Sequence, residues 1–169
     1  MANTYVAIAT VTVGSGGAST IDFSSIPQTY TDLVLKISAR IDNANVWSDI
    51  YVRFNGSTTN YSDRVLYGSG SGAASIYETN TGIDFRTSTT NNTASTFGNI
   101  EIYIPNYTSS NKKSASGDGV SENNATSAIA QLVAGLWDNT SAITSISIFG
   151  SGGNFVQYST ATLYGISNS

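Results

Sequence analysis

The stretch Ile26–Arg40, IPQTYTDLVLKISAR, alternates from Thr31 onward. Leu33, Leu35, Ile37 and Ala39 fall on one side, and Asp32, Lys36, Ser38 and Arg40 on the other. Successive side chains of a strand point to opposite faces, so this pattern predicts a β-strand with one buried face. Val34 breaks the rule, being apolar on the polar side.

The same alternation recurs along the chain. SDIYVRF (Ser48–Phe54) turns Ile50, Val52 and Phe54 inward, and FGNIEIYIPNY (Phe97–Tyr107) does so with Ile100, Ile102 and Ile104. Shorter strand-like runs lie at Tyr5–Val13, Thr20–Phe23, Arg64–Tyr67, Ile143–Phe149 and Ser159–Ile166. SAIAQLVAGLW (Ser127–Trp137) has helix-forming Ala and Leu, but it is short and carries Gly135, which favours a strand. Residues 79–96 are polar and predict a long loop or two short edge strands. Residues 108–126 predict a polar connection with room for a hydrophilic strand. Asn55-Gly56 is a hairpin signal, because both turn positions accept positive φ. Many short strands punctuated by Gly, Ser and Asn predict one domain over residues 1–169. Its expected architecture is all-β: a two-sheet antiparallel β-sandwich of jelly-roll type with about eight strands.

Composition excludes much chemistry. The chain of 169 residues has no cysteine and no histidine. Thiol nucleophiles, disulfides and Ser–His or Cys–His catalysis are therefore impossible, and the usual zinc ligands are missing. Only 11% of residues are charged, against about 25% in ordinary globular proteins. Ser, Thr, Asn and Gly supply nearly half the chain. A net charge of −4 on such a surface does not suit phosphate-backbone binding, so no nucleic-acid partner is expected. The run MANTYVAIATVTVGSGG has no Lys or Arg ahead of its apolar part and is read as a strand rather than a signal peptide. No apolar run approaches the ~20 residues of a membrane span, and no membrane partner is expected.

Paired carboxylates remain the one acid–base option, yet Asp32, Asp49 and Glu101 fall on outward faces and Asp42, Asp63 and Asp84 near loops. They are read as solvated charges, and no enzyme activity is expected. DNANVWSD (Asp42–Asp49) is oxygen-rich but lacks the EF-hand spacing, since Ala44 takes the third position. No metal or cofactor is assigned. The glycine-rich pieces lack the lysine and helix of a phosphate loop and are turns. The aromatics are more telling. Alternation turns Tyr51 and Tyr103 outward together with Val34, and Trp47 and Tyr61 sit in adjoining loops. Tyr and Trp are favoured at contacts, so Val34, Trp47, Tyr51, Tyr61 and Tyr103 are the candidate interface residues. The same rings also suit stacking on sugars, which keeps a host glycan open as a ligand.

Three stretches carry a family resemblance: IPQTYTDLVLKISAR, then YVRFNGSTTNYSDRVLYGSG (Tyr51–Gly70), and finally ITSISIFGSGGNFVQYSTATLYGI (Ile143–Ile166). Together they resemble small structural proteins of tailed bacteriophages, in particular podoviruses and siphoviruses of aquatic bacteria. In those proteins a TDLxLxxSxR strand leads to an FNG…NYS hairpin and the chain ends on an LYGI strand. The resemblance implies a virion component without an active site, assembled in the host cytoplasm and displayed on the virion surface. It implies a capsid decoration (cement) protein, homo-oligomeric and expected to be a trimer, bound to the major capsid protein. The alternative it leaves open is a tail protein, at a tail tip or fibre head, that binds a host glycan.

Overall fold

A computed structural model describes residues 4–125 and 127–167. The described residues are all-β and form twelve strands. Eight of them run side by side in antiparallel pairs. These are β1 (Tyr5–Thr12), β12 (Thr160–Ile166), β3 (Asp32–Ile41), β8 (Gly98–Ile104), β9 (Lys113–Ser121), β10 (Ile129–Trp137), β5 (Tyr61–Gly68) and β6 (Ala73–Glu78), in that spatial order. A second, four-stranded layer follows the order β2 (Thr20–Phe23), β11 (Ile146–Gly150), β4 (Trp47–Phe54) and β7 (Ile83–Thr89). The layers join where β3 and β7 run parallel for two residue pairs, Arg40 with Ser88 and Ile41 with Thr89. The expected count of about eight strands is thus too low, and the pairing is mixed rather than wholly antiparallel.

Between the layers lies one apolar core. Leu35, Ile37, Val52, Phe54, Ile102, Ile104, Ile146, Ile148 and Leu163 are all buried in it, as alternation requires. SAIAQLVAGLW is strand β10, and the polar connection holds strand β9. Strand β12 lies inside its layer, paired to β1 on one side and β3 on the other.

Two local expectations fail for instructive reasons. Asn55 and Gly56 do adopt positive φ of 53° and 67°, but the strands they join go to different layers, so no hairpin forms. Asn55 instead fastens a distant segment: its Nδ2 donates to the Ala142 carbonyl at 2.7 Å, and its Oδ1 accepts from the Thr144 and Ser145 amides. Residues 79–96 contain β7, a strand buried on both faces except at Arg86. Ile83 and Phe85 press against the eight-stranded layer where Gly135 and Gly117 lack a side chain. A Cβ at Gly135 would lie 2.5 Å from Ile83, and one at Gly117 would lie 2.8 Å from the Phe85 ring. Glycine inside a strand commonly marks such a close approach.

Strand β7 has a second edge that no complete strand covers, and side chains from the opposite layer serve it. Gln131 of β10 accepts from the Arg86 amide at 3.0 Å and donates to the Arg86 carbonyl at 2.8 Å. Asp63 of β5 accepts from the Asp84 amide at 3.3 Å. In the other direction Thr87 of β7 donates its hydroxyl to the Ala39 carbonyl of β3 at 2.8 Å. Buried backbone groups must be paired somewhere, and these buried polar side chains do it in place of a strand.

Candidate functional site

The outer face of the eight-stranded layer can be laid out from its register. One row across it reads Lys36, Glu101, Asp118, Leu132, Leu66, Ser75. The row on one side reads Val34, Tyr103, Ser116, Ala134, Arg64, Tyr77, and the row on the other Ser38, Asn99, Val120, Ala130, Gly68, Ala73. On the half built from β9, β10, β5 and β6, apolar side chains face solvent: Leu132 is 59% exposed, Tyr77 55%, Leu66 52% and Val120 46%. Scattered exposed apolar residues are ordinary, but these four lie close together, on adjacent strands within three rows of one face.

Leu66 and Leu132 form a ridge between two shallow hollows. One, of about 490 Å³, is bordered by Arg64, Glu101, Tyr103, Ser116 and Asp118. The other, of about 430 Å³, lies over Gly68, Ala73, Val120 and Ala130. Lys36 and Glu101 pair at 2.9 Å, which raises the Lys36 ammonium through its hydrogen bond to the carboxylate. The Arg64 guanidinium stands 4.1 Å over the Tyr77 ring.

The five residues singled out from sequence do not form one surface. Val34 and Tyr103 are neighbours on this outer face. Val34 is nevertheless only 2% exposed, since its cross-strand partners are Tyr164 and Tyr103. It therefore offers a partner almost no area. Tyr103 stays on the surface, and its hydroxyl donates to Asp32 at 2.9 Å, a bond that raises the phenol above its ordinary range. Trp47 and Tyr51 sit half-buried on the four-stranded layer, where Tyr51 lies 5.3 Å from the Phe149 ring and Arg53 stands 3.8 Å over that ring. Tyr61 is not a loop residue. It begins β5, is buried, stacks on Trp137 with centroids 6.1 Å apart, and its hydroxyl accepts from the Phe54 amide at 2.8 Å.

Alternation alone missed Leu66, Tyr77, Val120 and Leu132. A usable signal was present in the unbroken apolar pairs Val65-Leu66 and Leu132-Val133, which put an apolar group on each face of one strand.

A second cluster lies where the chain crosses from β6 to β7. Asp63 and Glu78 are directly paired across β5 and β6, and Asp84 of β7 abuts Asp63. Asp49 of β4 is paired with Arg86, whose Nε donates to it at 3.4 Å. Asp63 and Asp84 are each 2% exposed, and one carboxyl oxygen of each lacks a hydrogen-bond partner among the described residues. Burial pushes the Asp84 carboxyl up to about 9, aided by the negative charges of Asp49, Glu78 and Asp63. Burial likewise pushes Asp63 up to about 6, against the Asp84 amide, which favours its charged form. Asp49 is raised by burial and held back by Arg86. Among the described residues no group of three or more acidic side chains is placed to hold a metal ion. The oxygens of the Asp42–Asp49 loop are taken by neighbouring protein groups: Asn43 Oδ1 accepts from the Asn45 amide, Asp42 and the Asn43 carbonyl accept from the Thr90 hydroxyl, and the Asn45 carbonyl accepts from Thr89.

No family model, curated protein or solved structure matches this chain.

Proposed function

We propose that this chain is a non-enzymatic structural protein of a tailed-bacteriophage virion, a decoration protein that cements the outer surface of the capsid. One observation carries the reading: the solvent-facing patch of Leu66, Tyr77, Val120 and Leu132 on a broad, otherwise polar sheet face. Adhesion needs such a face, together with a rigid core behind it, and needs no reactive group. The carboxyls with the most perturbed protonation, Asp63 and Asp84, are sealed inside, where a substrate does not reach them. The layered all-β architecture is compatible with a jelly-roll derivative that has gained strands, and the family resemblance supplies the virion setting. In this reading copies of the chain join as a homo-oligomer at local symmetry axes, contact the major capsid protein, and resist genome pressure by bridging its subunits.

A tail-tip or fibre-head protein that binds host glycans is the second reading. It is favoured by the hollow between Tyr103, Arg64 and Asp118, where an aromatic ring stands among hydrogen-bonding groups. Quantitative mass spectrometry of purified particles separates the two. Hundreds of copies per particle support decoration, a few dozen or fewer support tail placement, and none overturns both.

A further inference from the structure

We infer that the exposed face of the eight-stranded layer pairs with the same face of a second copy of this chain, about a two-fold axis lying along β10. This rests on the reading of that face as an adhesion surface and names its partner.

The first support is the way charge is distributed across the face. Strand β10 is its midline, and it carries only Ala130, Leu132 and Ala134 outward through the three central rows. To one side, β9 and β8 carry Asp118 and Glu101; to the other, β5 carries Arg64. The ion pairs among the described residues are Lys36–Glu101, Arg86–Asp49 and Lys112–Asp138, so Asp118 and Arg64 each lack one. They lie two strands and one row apart, and no ion pair joins them within the chain. A face with an unpaired acid on one side of its midline and an unpaired base on the other is complementary to itself. Isologous contacts have that property, because residue i meets j while j meets i.

The register then states what such an axis brings together. Stacked sheets lie about 10 Å apart. Rotation about β10 lays β5 of each copy over β9 of the other, and β6 over β8. Leu132 meets its own counterpart. Val120 falls over Gly68, where the absent side chain leaves room. Tyr77 falls over Tyr103, Leu66 falls over Asp118, and Arg64 falls over Ser116, one row from Asp118, so that the acid lies between the leucine and the base of the other copy. The charged contact and the aromatic contact each occur twice.

Area is the second support. Strands β9 and β10 are nine residues long. At about 3.4 Å per residue, and about 4.8 Å between strands, the strip from β8 to β6 covers roughly 700 Å² on each copy. About 1,400 Å² in total lies within the range of about 1,200–2,000 Å² for a stable specific contact. The pairing is two-fold, in place of the trimer that the family resemblance implies.

The test is sedimentation velocity on the full chain and four variants, with circular dichroism as a check on folding. Wild type is expected at twice the 17.7 kDa of one chain. Leu132→Asp is expected to be monomeric. Arg64→Asp and Asp118→Arg should each weaken the dimer by about tenfold or more, and the double variant Arg64→Asp/Asp118→Arg should recover most of that loss. The double variant keeps the inference falsifiable even if one single variant misfolds. A monomeric or trimeric wild type overturns the pairing, as does a double variant no tighter than either single one. Retention on decoration-depleted particles is measured in parallel. A monomer that still binds particles sinks the pairing and leaves the proposed function standing, whereas a dimer that never binds particles does the reverse.

Discussion

Replacing Asp84 with Asn should flatten the pH dependence of stability above pH 6. In the unfolded chain an aspartate titrates near 3.9. In the folded protein burial lifts Asp84 to about 9 and Asp63 to about 6. Both folded values are raised, so the native state binds more protons than the unfolded state, and stability must fall as pH rises. The contribution is fully present below about pH 4. Between about 4 and 6 both groups take up a proton on folding, and from about 6 to 9 Asp84 alone does. One proton corresponds to about 1.4 kcal/mol per pH unit, so going from pH 6 to pH 8 should remove about 2.7 kcal/mol. At 2–4 °C per kcal/mol for a domain of this size, the melting temperature should drop by about 5–11 °C.

The composition makes this profile unusually easy to interpret. With no histidine and no cysteine, no other side chain has an ordinary pKa between pH 6 and 8. Asp84→Asn removes the titrating proton while keeping the shape of the side chain. The variant should therefore lose the slope above pH 6 and overtake wild type by pH 8, while below pH 6 the slope owed to Asp63 persists. Urea midpoints at half-unit pH intervals from 5 to 8.5 would check both statements. Wild-type stability that is flat or rising between pH 6 and 8, or an Asn variant that keeps the wild-type slope, would refute the assigned protonation.

Three further outcomes are expected. Leu35→Ala should lower stability by about 2–5 kcal/mol in urea titration, as truncation of a fully buried leucine does; a loss under about 0.5 kcal/mol would contradict the register of β3. Gln131→Leu leaves the Arg86 amide and carbonyl unpaired, which should lower stability by about 2–4 kcal/mol and speed hydrogen exchange at the Arg86 amide. Tyr103→Ala should weaken self-association in sedimentation while Tyr51→Ala does not, because the two rings stand on opposite layers; equal effects would mean that the contact lies elsewhere.

How much of this was legible in the sequence depends on where polarity sits. Strand β8 could be read because one face is buried and the other exposed, so alternation maps directly onto burial. In β3 and β4 alternation finds the inward face, but the other face is partly covered: Asp32, Val34 and Arg40 are buried, and Trp47, Asp49, Tyr51 and Arg53 are half-buried. Strand β7 could not be read in this way. Its residues Asp84, Thr87, Ser88 and Thr89 are buried although polar, and a pattern rule assigns such residues to solvent. What buries them is the opposite layer, through Gln131, Asp63 and the two glycines beneath Ile83 and Phe85. Those partners come from β5, β9 and β10, far along the chain. On the outer face, too, pattern and burial part company. Tyr103 was placed correctly by alternation, but whether an outward residue is also exposed depends on its cross-strand neighbours. Val34, flanked by Tyr103 and Tyr164, is covered, whereas Leu132, flanked by Asp118 and Leu66, is not.

The strand edges argue that association runs through this face. An uncovered edge presents unpaired amides and carbonyls, and charges, bulges or short length protect against edge-to-edge growth. The outer strand β1 has no charged residue, but its pairing with β12 slips between Ala7 and Ala9, and such a bulge twists an edge away from a flat partner. At the other end β6 is only six residues long and closes on Glu78, directly opposite Asp63. Strand β2 spans four residues and carries Asp22. Each edge thus has an impediment to pairing, whereas the face around β10 exposes leucine and valine, and β10 itself carries no charged side chain outward. Head-to-tail pairing of unlike edges would build open ribbons, whereas stacking one face on itself about a two-fold axis closes after one partner. Closure of that kind limits the number of contacts each copy can make.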